Sequence, residues 1–160
     1  MSDVHVLDDG IRRAQPFELG ARGEALAIEH LEQRGYRIVA ANFSLPIGRN
    51  SRDVIVNAEI DVVAYDGPTL CFIEVKTRAS DEIATPQTNV DRRKQRQIAR
   101  AALGYRRMFG LMDSPFRYDV VGVVAKPNDM HPRIELHKAF WTDEQLRKKH
   151  WREPFGINNV

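Results

Sequence analysis

Apolar and small residues recur at three- and four-residue spacing from Phe17 to Arg34, with Gly20, Gly23, Glu24, Ala27, Ile28 and Leu31 falling on one face. That period is helical, and Gly35 stands where a helix C-cap glycine belongs. Tyr36–Asn42 reads as a first strand. Ser44–Asn57 contains Pro46, Gly48, Arg49, Asn50 and Arg52 and reads as a loop that turns to strand at Val54-Ile55-Val56. Two further strand-like runs, Glu59–Tyr65 and Leu70–Lys76, flank Asp66-Gly67-Pro68-Thr69, which is a hairpin signal.

A symmetric loop at that hairpin sets Asp61 opposite Glu74 and Glu59 opposite Lys76. Opposite residues share a face, as do residues i and i+2. The four charges therefore gather at the open end of one face, with Val63, Tyr65, Leu70 and Phe72 nearer the turn. Ile60, Val62, Ala64, Cys71, Ile73 and Val75 make a wholly apolar second face. Strands apolar on both sides belong in the middle of a sheet.

Arg78–Gln87 is polar, contains Pro86 and reads as a loop. Thr88 is expected to cap a helix running to about Phe109, with Ile98, Ala101, Ala102, Tyr105 and Met108 as its apolar stripe. Arg117–Ala125 and Arg133–Ala139 are strands around the turn-rich Lys126–Pro132. Thr142-Asp-Glu-Gln145 is a capping box that opens a short helix. The order is helix, three strands, helix, two strands, helix, which predicts an α/β fold with a central mixed β-sheet flanked by helices. Residues 16–150 read as one domain and residues 1–15 and 151–160 as tails.

Composition narrows the function classes. The 160 residues include 24 Lys+Arg and 22 Asp+Glu, a formal net charge of +2 that by itself points to no polyanion partner. No run approaches the roughly 18 apolar residues of a membrane span, and the acidic N-terminal segment lacks the apolar stretch of a signal peptide. The lone Cys71 excludes an intrachain disulfide and a cysteine-rich zinc site, so a cytoplasmic setting is expected. The five histidines (His5, His30, His131, His137, His150) have no metal-ligand spacing, and there is no Ser-His-Asp set, P-loop or dinucleotide fingerprint.

The candidate chemistry lies at the charged end of the hairpin. Two carboxylates facing one another on central strands repel and are costly to desolvate, unless a cation or a raised pKa offsets the cost. A hard, oxygen-seeking ion such as Mg²⁺ or Mn²⁺ suits Asp61 and Glu74, and Lys76 points to the same side. Glu24 shares its helix face with Ala27, Ile28 and Leu31 and is expected to look inward, the glycines at 20 and 23 letting that helix approach the sheet. The same charges would also serve as an ion-pair network, with Lys76 between Glu59 and Glu74 and Glu24 paired to Arg22, Lys76 or Arg78.

Asp61 followed by Glu74-Val75-Lys76, after a helical glutamate and before a basic helix, resembles the PD-(D/E)xK signature of the restriction-endonuclease-like superfamily. More specifically, the chain resembles the bacterial YraN-type uncharacterised family, itself similar to archaeal Holliday junction resolvases. The stretches that carry the resemblance are Gly20-x-x-Gly23-Glu24-x-x-Ala27, Gly35-Tyr36-x-Ile38, Asn42, Glu59-Ile60-Asp61, Glu74-Val75-Lys76-Thr77-Arg78, Lys94-Gln95 and Arg117-Tyr118-Asp119-Val120. The resemblance implies that Asp61, Glu74 and the Val75 carbonyl bind a divalent metal, that Lys76 aids the attacking water and that Glu24 supports the site. It implies a nuclease acting on DNA, branched DNA included, and it allows a homodimer. Two positions depart from the pattern: Ala58 stands where the family has glycine, and Ser44–Asn57 is longer than the family's connection.

Between Thr88 and Phe109 seven basic residues (Arg92, Arg93, Lys94, Arg96, Arg100, Arg106, Arg107) face a single acid, Asp91. Such an excess on one helix suits nucleic-acid phosphates; a solvated basic face is the plain alternative. Arg78, Arg92, Arg93, Lys94, Gln95, Arg96 and Arg100 are the candidate contacts, with Arg49 and Arg52 able to reach a backbone from the loop. A nucleic-acid-binding module without catalysis and a protein-interaction domain are the competing functions.

Overall fold

The computed structural model describes residues 16–79, 90–126 and 129–147. The tails at 1–15 and 151–160, most of the Arg78–Gln87 loop and Thr88 lie outside the described residues. A helix α1 (Pro16–Gln33) leads into strands β1 (Arg37–Arg49), β2 (Ile55–Asp66) and β3 (Thr69–Arg78). Helix α2 (Arg92–Met108), strands β4 (Phe116–Val124) and β5 (Arg133–Trp141) and the short helix α3 (Asp143–Leu146) complete the order. The strands lie side by side in chain order, with every neighbouring pair antiparallel except β3–β4. That parallel pair is the one joined through α2, because a strand can re-enter in the same direction only by a long crossover. Among the described residues no helix is long and apolar enough to cross a membrane.

Each helix covers one sheet face. Ala27 and Leu31 of α1 pack on Val62, Ala64, Cys71, Ile73, Val121 and Val123. Ile98, Ala101, Ala102 and Tyr105 of α2 pack on Ile60, Val63, Leu70, Phe72, Tyr118 and Val120. Phe72 is fully buried and meets Tyr105 edge-on at 5.6 Å, a burial worth about 1.5–3 kcal/mol. Cys71 is a buried core residue, as its place in an apolar strand predicts.

The β2–β3 register agrees with the symmetric hairpin as far as Val62↔Ile73, and Thr142 with Gln145 forms the expected capping box. Four readings need correction. Ser44–Asn57 is not a loop: β1 continues to Arg49 and pairs back through Pro46↔Asn57 and Arg49↔Ile55. Phe43, Leu45 and Ile47 are half-buried against the α2-side core. Pro46 is tolerated because β1 is an edge strand. The turn is held by the Asn50 side chain, which accepts from the Arg52 and Val54 amides at 2.9 and 3.0 Å.

Ile60 faces α2 rather than joining Val62 on the α1 side. Both strands change face at the same place: Asn42 adopts φ 51° between the pairs Ala41↔Val62 and Phe43↔Ile60, and Asp61 lies across from it. The cap of α2 is Asp91, whose carboxylate accepts from the Lys94 amide at 2.8 Å, and the helix begins at Arg92. Of the two α1 glycines only Gly23 makes a close approach: a Cβ there would run into the Thr77 side chain, whereas one at Gly20 would meet open space.

The turn end of the β2–β3 hairpin carries a separate polar network. Arg117 donates from Nε to both oxygens of the fully buried Asp119, at 2.9 and 3.0 Å. Its Nη2 reaches Tyr36 Oη and Asp66. Asp119 also accepts from the Ala139 amide at 2.9 Å, tying β5 to β4 where the register shifts and Ala139 takes φ 51°. The Arg117-Tyr-Asp119-Val stretch thus holds the sheet together at the end away from Asp61.

Candidate metal and nucleic-acid site

At the open end of the hairpin the β2–β3 ladder stops after Val62↔Ile73. The Val75 amide bonds the Asp61 carboxylate instead, at 2.7 Å. A short acidic side chain here competes with the backbone for the strand's donor, and the ladder ends where the Asp61 carboxylate takes the place of a backbone acceptor. A residue's N–H and C=O leave an extended strand on the same edge. The Val75 carbonyl therefore lies on the edge that faces Asp61, as a further ligand requires.

Glu74 is nearly inaccessible, with 3% of its side chain exposed. Its Oε1 lies 3.0 Å from Lys76 Nζ and its Oε2 lies 3.7 Å from Lys94 Nζ. Oε2 is buried without a hydrogen-bond partner. Lys94 offsets the charge of that oxygen, while its hydrogen-bonding capacity stays unused. The Asp61 carboxyl is pushed up to about 7, first by burial and then by the Glu74 charge, against the opposing pull of the Val75 amide and Lys94. The Glu74 charge beside it thus disfavours the ionised form of Asp61. The donor set, two carboxylates with a carbonyl on the same edge, is of the kind that holds Mg²⁺ or Mn²⁺, and Glu74 Oε2 is the carboxylate oxygen with no hydrogen bond of its own.

The structure brings together Asp61, Glu74, Lys76 and Lys94. It does not bring Glu24 or Glu59 to them. Among the described residues no three His, Cys, Asp or Glu side chains gather in a metal-sized cluster, so the expected convergence of three acids is not formed. Glu24 sits half-buried on α1 beside Gly23. Arg22, its expected partner, donates instead to the carbonyls of Lys126 and Asp129 at 2.9 and 2.7 Å. Glu59 is exposed and pairs across to Ser44, and Lys76 contacts Glu74 rather than bridging the two acids.

The basic helix divides into groups. Lys94 turns to Glu74, while Arg92, Arg93, Arg96, Arg100 and Arg107 are exposed. Gln95 donates to the Val90 carbonyl at 2.7 Å and so braces the entry to α2. Arg78 is exposed at the end of β3, where its carbonyl accepts from the Ala125 amide. Arg106 is no phosphate contact. It is buried, lies over the Phe116 ring at 3.8 Å and donates to the Met112 carbonyl at 2.6 Å. The anchoring of Asp61 by the Val75 amide was not readable from the residues, because a backbone donor carries no side-chain signal.

A family model described as the uncharacterised protein family UPF0102 matches residues 23–123. The chain belongs to this family. It is 48% identical over 113 residues to a UPF0102 protein of Chlorobaculum tepidum, covering 69% of this chain and 78% of that protein. It is 40% identical over 123 residues to a UPF0102 protein of Geotalea uraniireducens, covering 77% and 88%. A UPF0102 protein of Chlorobium limicola is 41% identical over 134 residues, covering 80% and 95%. The matched span runs from the α1 glycine that packs on Thr77 to β4 and contains Asp61, Glu74, Lys76 and Lys94.

Proposed function

We propose that the protein is a divalent-metal-dependent nuclease of the restriction-endonuclease-like superfamily that hydrolyses phosphodiester bonds in DNA, with branched DNA among its substrates. The observation that carries this is the Asp61–Glu74 pair where the hairpin ladder ends, with the Asp61 charge disfavoured by Glu74 and Lys76 3.0 Å from Glu74. Bound Mg²⁺ or Mn²⁺ would polarise a phosphoryl oxygen and lower the pKa of a coordinated water. Asp61, Glu74 and the Val75 carbonyl are the groups to hold it. Lys76, half-exposed and fixed by Glu74, is placed to orient water and to offset charge on the phosphoryl oxygens. Lys94 steadies Glu74 from α2, and Arg92, Arg93, Arg96 and Arg100 of that helix meet the substrate backbone.

A non-catalytic nucleic-acid-binding module is the second reading. What favours it is that Lys76 and Lys94 both already lie against Glu74, so part of the charge is compensated without metal. The test is cleavage of labelled branched, duplex and single-stranded DNA with Mg²⁺ or Mn²⁺ by wild type, Asp61→Asn, Glu74→Gln and Lys76→Ala. Loss of cleavage in each variant with the fold intact is expected. Cleavage retained in all three overturns the nuclease reading, and salt-sensitive binding without cleavage in wild type selects the module.

A further inference from the structure

The tip of the β1–β2 hairpin and the outer face of α2 enclose a pocket of about 250 Å³, lined by Gly48 and Arg49 from the hairpin and by Arg93, Arg96, Gln97 and Arg100 from the helix. Four arginines line it, and no carboxylate is among the lining residues. Arg100 donates to the Ile47 carbonyl, and a Cβ on Gly48 would stand 3.0 Å from the Arg100 guanidinium. The glycine thus makes room for that side chain. Arg49 is held by the Asp53 carbonyl at 2.6 Å and by its carboxylate at 3.7 Å. The side chains of Arg93 and Arg96 make no hydrogen bond or ion pair among the described residues. Like charges crowded into one pocket repel, and an anion with several acceptor oxygens relieves them. Arginine's planar fork suits a phosphate in particular. The pocket is smaller than the roughly 300–1,000 Å³ that hold whole cofactors or drug-sized ligands, and its size suits one phosphate group with its waters.

We propose that this pocket clamps a single backbone phosphate of a nucleic-acid strand, at a fixed distance from the Asp61–Glu74 centre. This deepens the nuclease reading and rests on it for that distance. Lys94, which touches Glu74, and Arg100, which closes the pocket, lie about 9 Å apart along the helix axis at about 1.5 Å per residue. One rigid helix therefore carries both the residue that steadies the carboxylate centre and the clamp, and the strand is measured between them.

The experiment is binding of a short fluorescein-labelled single-stranded oligonucleotide in EDTA, where no cleavage occurs, to wild type, Arg93→Gln, Arg96→Gln and Arg107→Gln. Arg107 lies at the far end of α2 and outside the pocket, so it controls for net charge. Each pocket variant is expected to weaken binding about tenfold, as for loss of a charge-assisted hydrogen bond, and to flatten the salt dependence by about one phosphate contact. Arg107→Gln is expected to change neither. Equal effects at all three positions, or none at Arg93 and Arg96, overturn the clamp. Inorganic phosphate that competes as strongly as the oligonucleotide overturns the strand assignment in favour of free phosphate. If wild type proves unable to cleave but the Arg93 and Arg96 losses stand, the nuclease reading fails and the clamp survives. If it cleaves, a neutral methylphosphonate at one fixed position relative to the cut bond is expected to slow the cut about tenfold, and a cut that no methylphosphonate position affects overturns the fixed spacing.

Discussion

The Val75 amide donates to the Asp61 carboxylate at 2.7 Å, just past the last rung of the β2–β3 ladder. The bond holds the half-buried carboxyl beside Glu74 and by itself favours the charged form, which burial and the Glu74 charge outweigh.

Stability should record that placement. The Asp61 pKa is raised to about 7 from an ordinary 3.8. Below the lower value both folded and unfolded chains hold the proton; between the two only the folded chain does. The contribution is therefore fully present in acid and is lost as pH rises through about 7. Asp61→Asn removes the group, so its melting temperature in EDTA is expected to gain on wild type as pH rises from about 5 to about 8. A difference independent of pH would contradict a half-buried carboxyl that keeps its proton more readily in the folded chain.

Metal binding should be linked to the same proton. The ligand form of Asp61 is the deprotonated one, so uptake of Mn²⁺ releases protons and tightens with pH through the same range. Calorimetry in buffers of different ionisation enthalpy reads the release directly. At a hundred times Kd, Mn²⁺ is expected to stabilise wild type by about 2.7 kcal/mol and Asp61→Asn hardly at all. Equal stabilisation of both would place the ion elsewhere.

The packing of α1 on β3 at Gly23 makes a different kind of prediction. Gly23→Ala drives a methyl into Thr77 and should cost about 1–3 kcal/mol, as overpacking does. Thr77→Ala should recover part of that loss, giving a coupling in the double-mutant cycle. The same cost in both backgrounds would show that the helix stands off the strand.

Neighbouring arginines on α2 should behave oppositely. Arg106→Ala gives up a cation–π contact and bonds to the Leu111 and Met112 carbonyls, and it is expected to lower stability by about 1.5–3 kcal/mol. Arg107→Ala, exposed at the next position, should change it by less than about 0.5 kcal/mol. Urea midpoints separate the two, and parity between them would remove the structural role of Arg106.

Much of this architecture is local, and local patterns were legible. The α1 period, the Asp66–Thr69 turn and the Thr142 capping box depend on residues within a few positions of one another, and all three stand as expected. The β1 extension was hidden because Pro46 and Gly48 interrupt a real alternation of Phe43, Leu45 and Ile47. Proline forbids a ladder donor only where a partner strand needs one, and an edge strand has a side without that need. The face switch at Asn42 and Asp61 was hidden for a related reason: period-two counting assumes an unbroken pleat, and a left-handed residue breaks it.

The sequence by itself determined that Asp61 and Glu74 would meet, because a short hairpin leaves few registers and both acids lie within one. It determined, too, that a strongly basic helix would follow the third strand. Only the tertiary structure decided which cations join the pair, since Lys94 comes from α2 while Glu24 and Glu59 stay apart from it. Tertiary structure also separated Arg106, buried under Phe116, from the arginines that meet the hairpin tip around Gly48. Hairpin partners are fixed by a few turn residues, whereas contacts between a helix and a sheet depend on how whole faces pack, and no short stretch of chain encodes that.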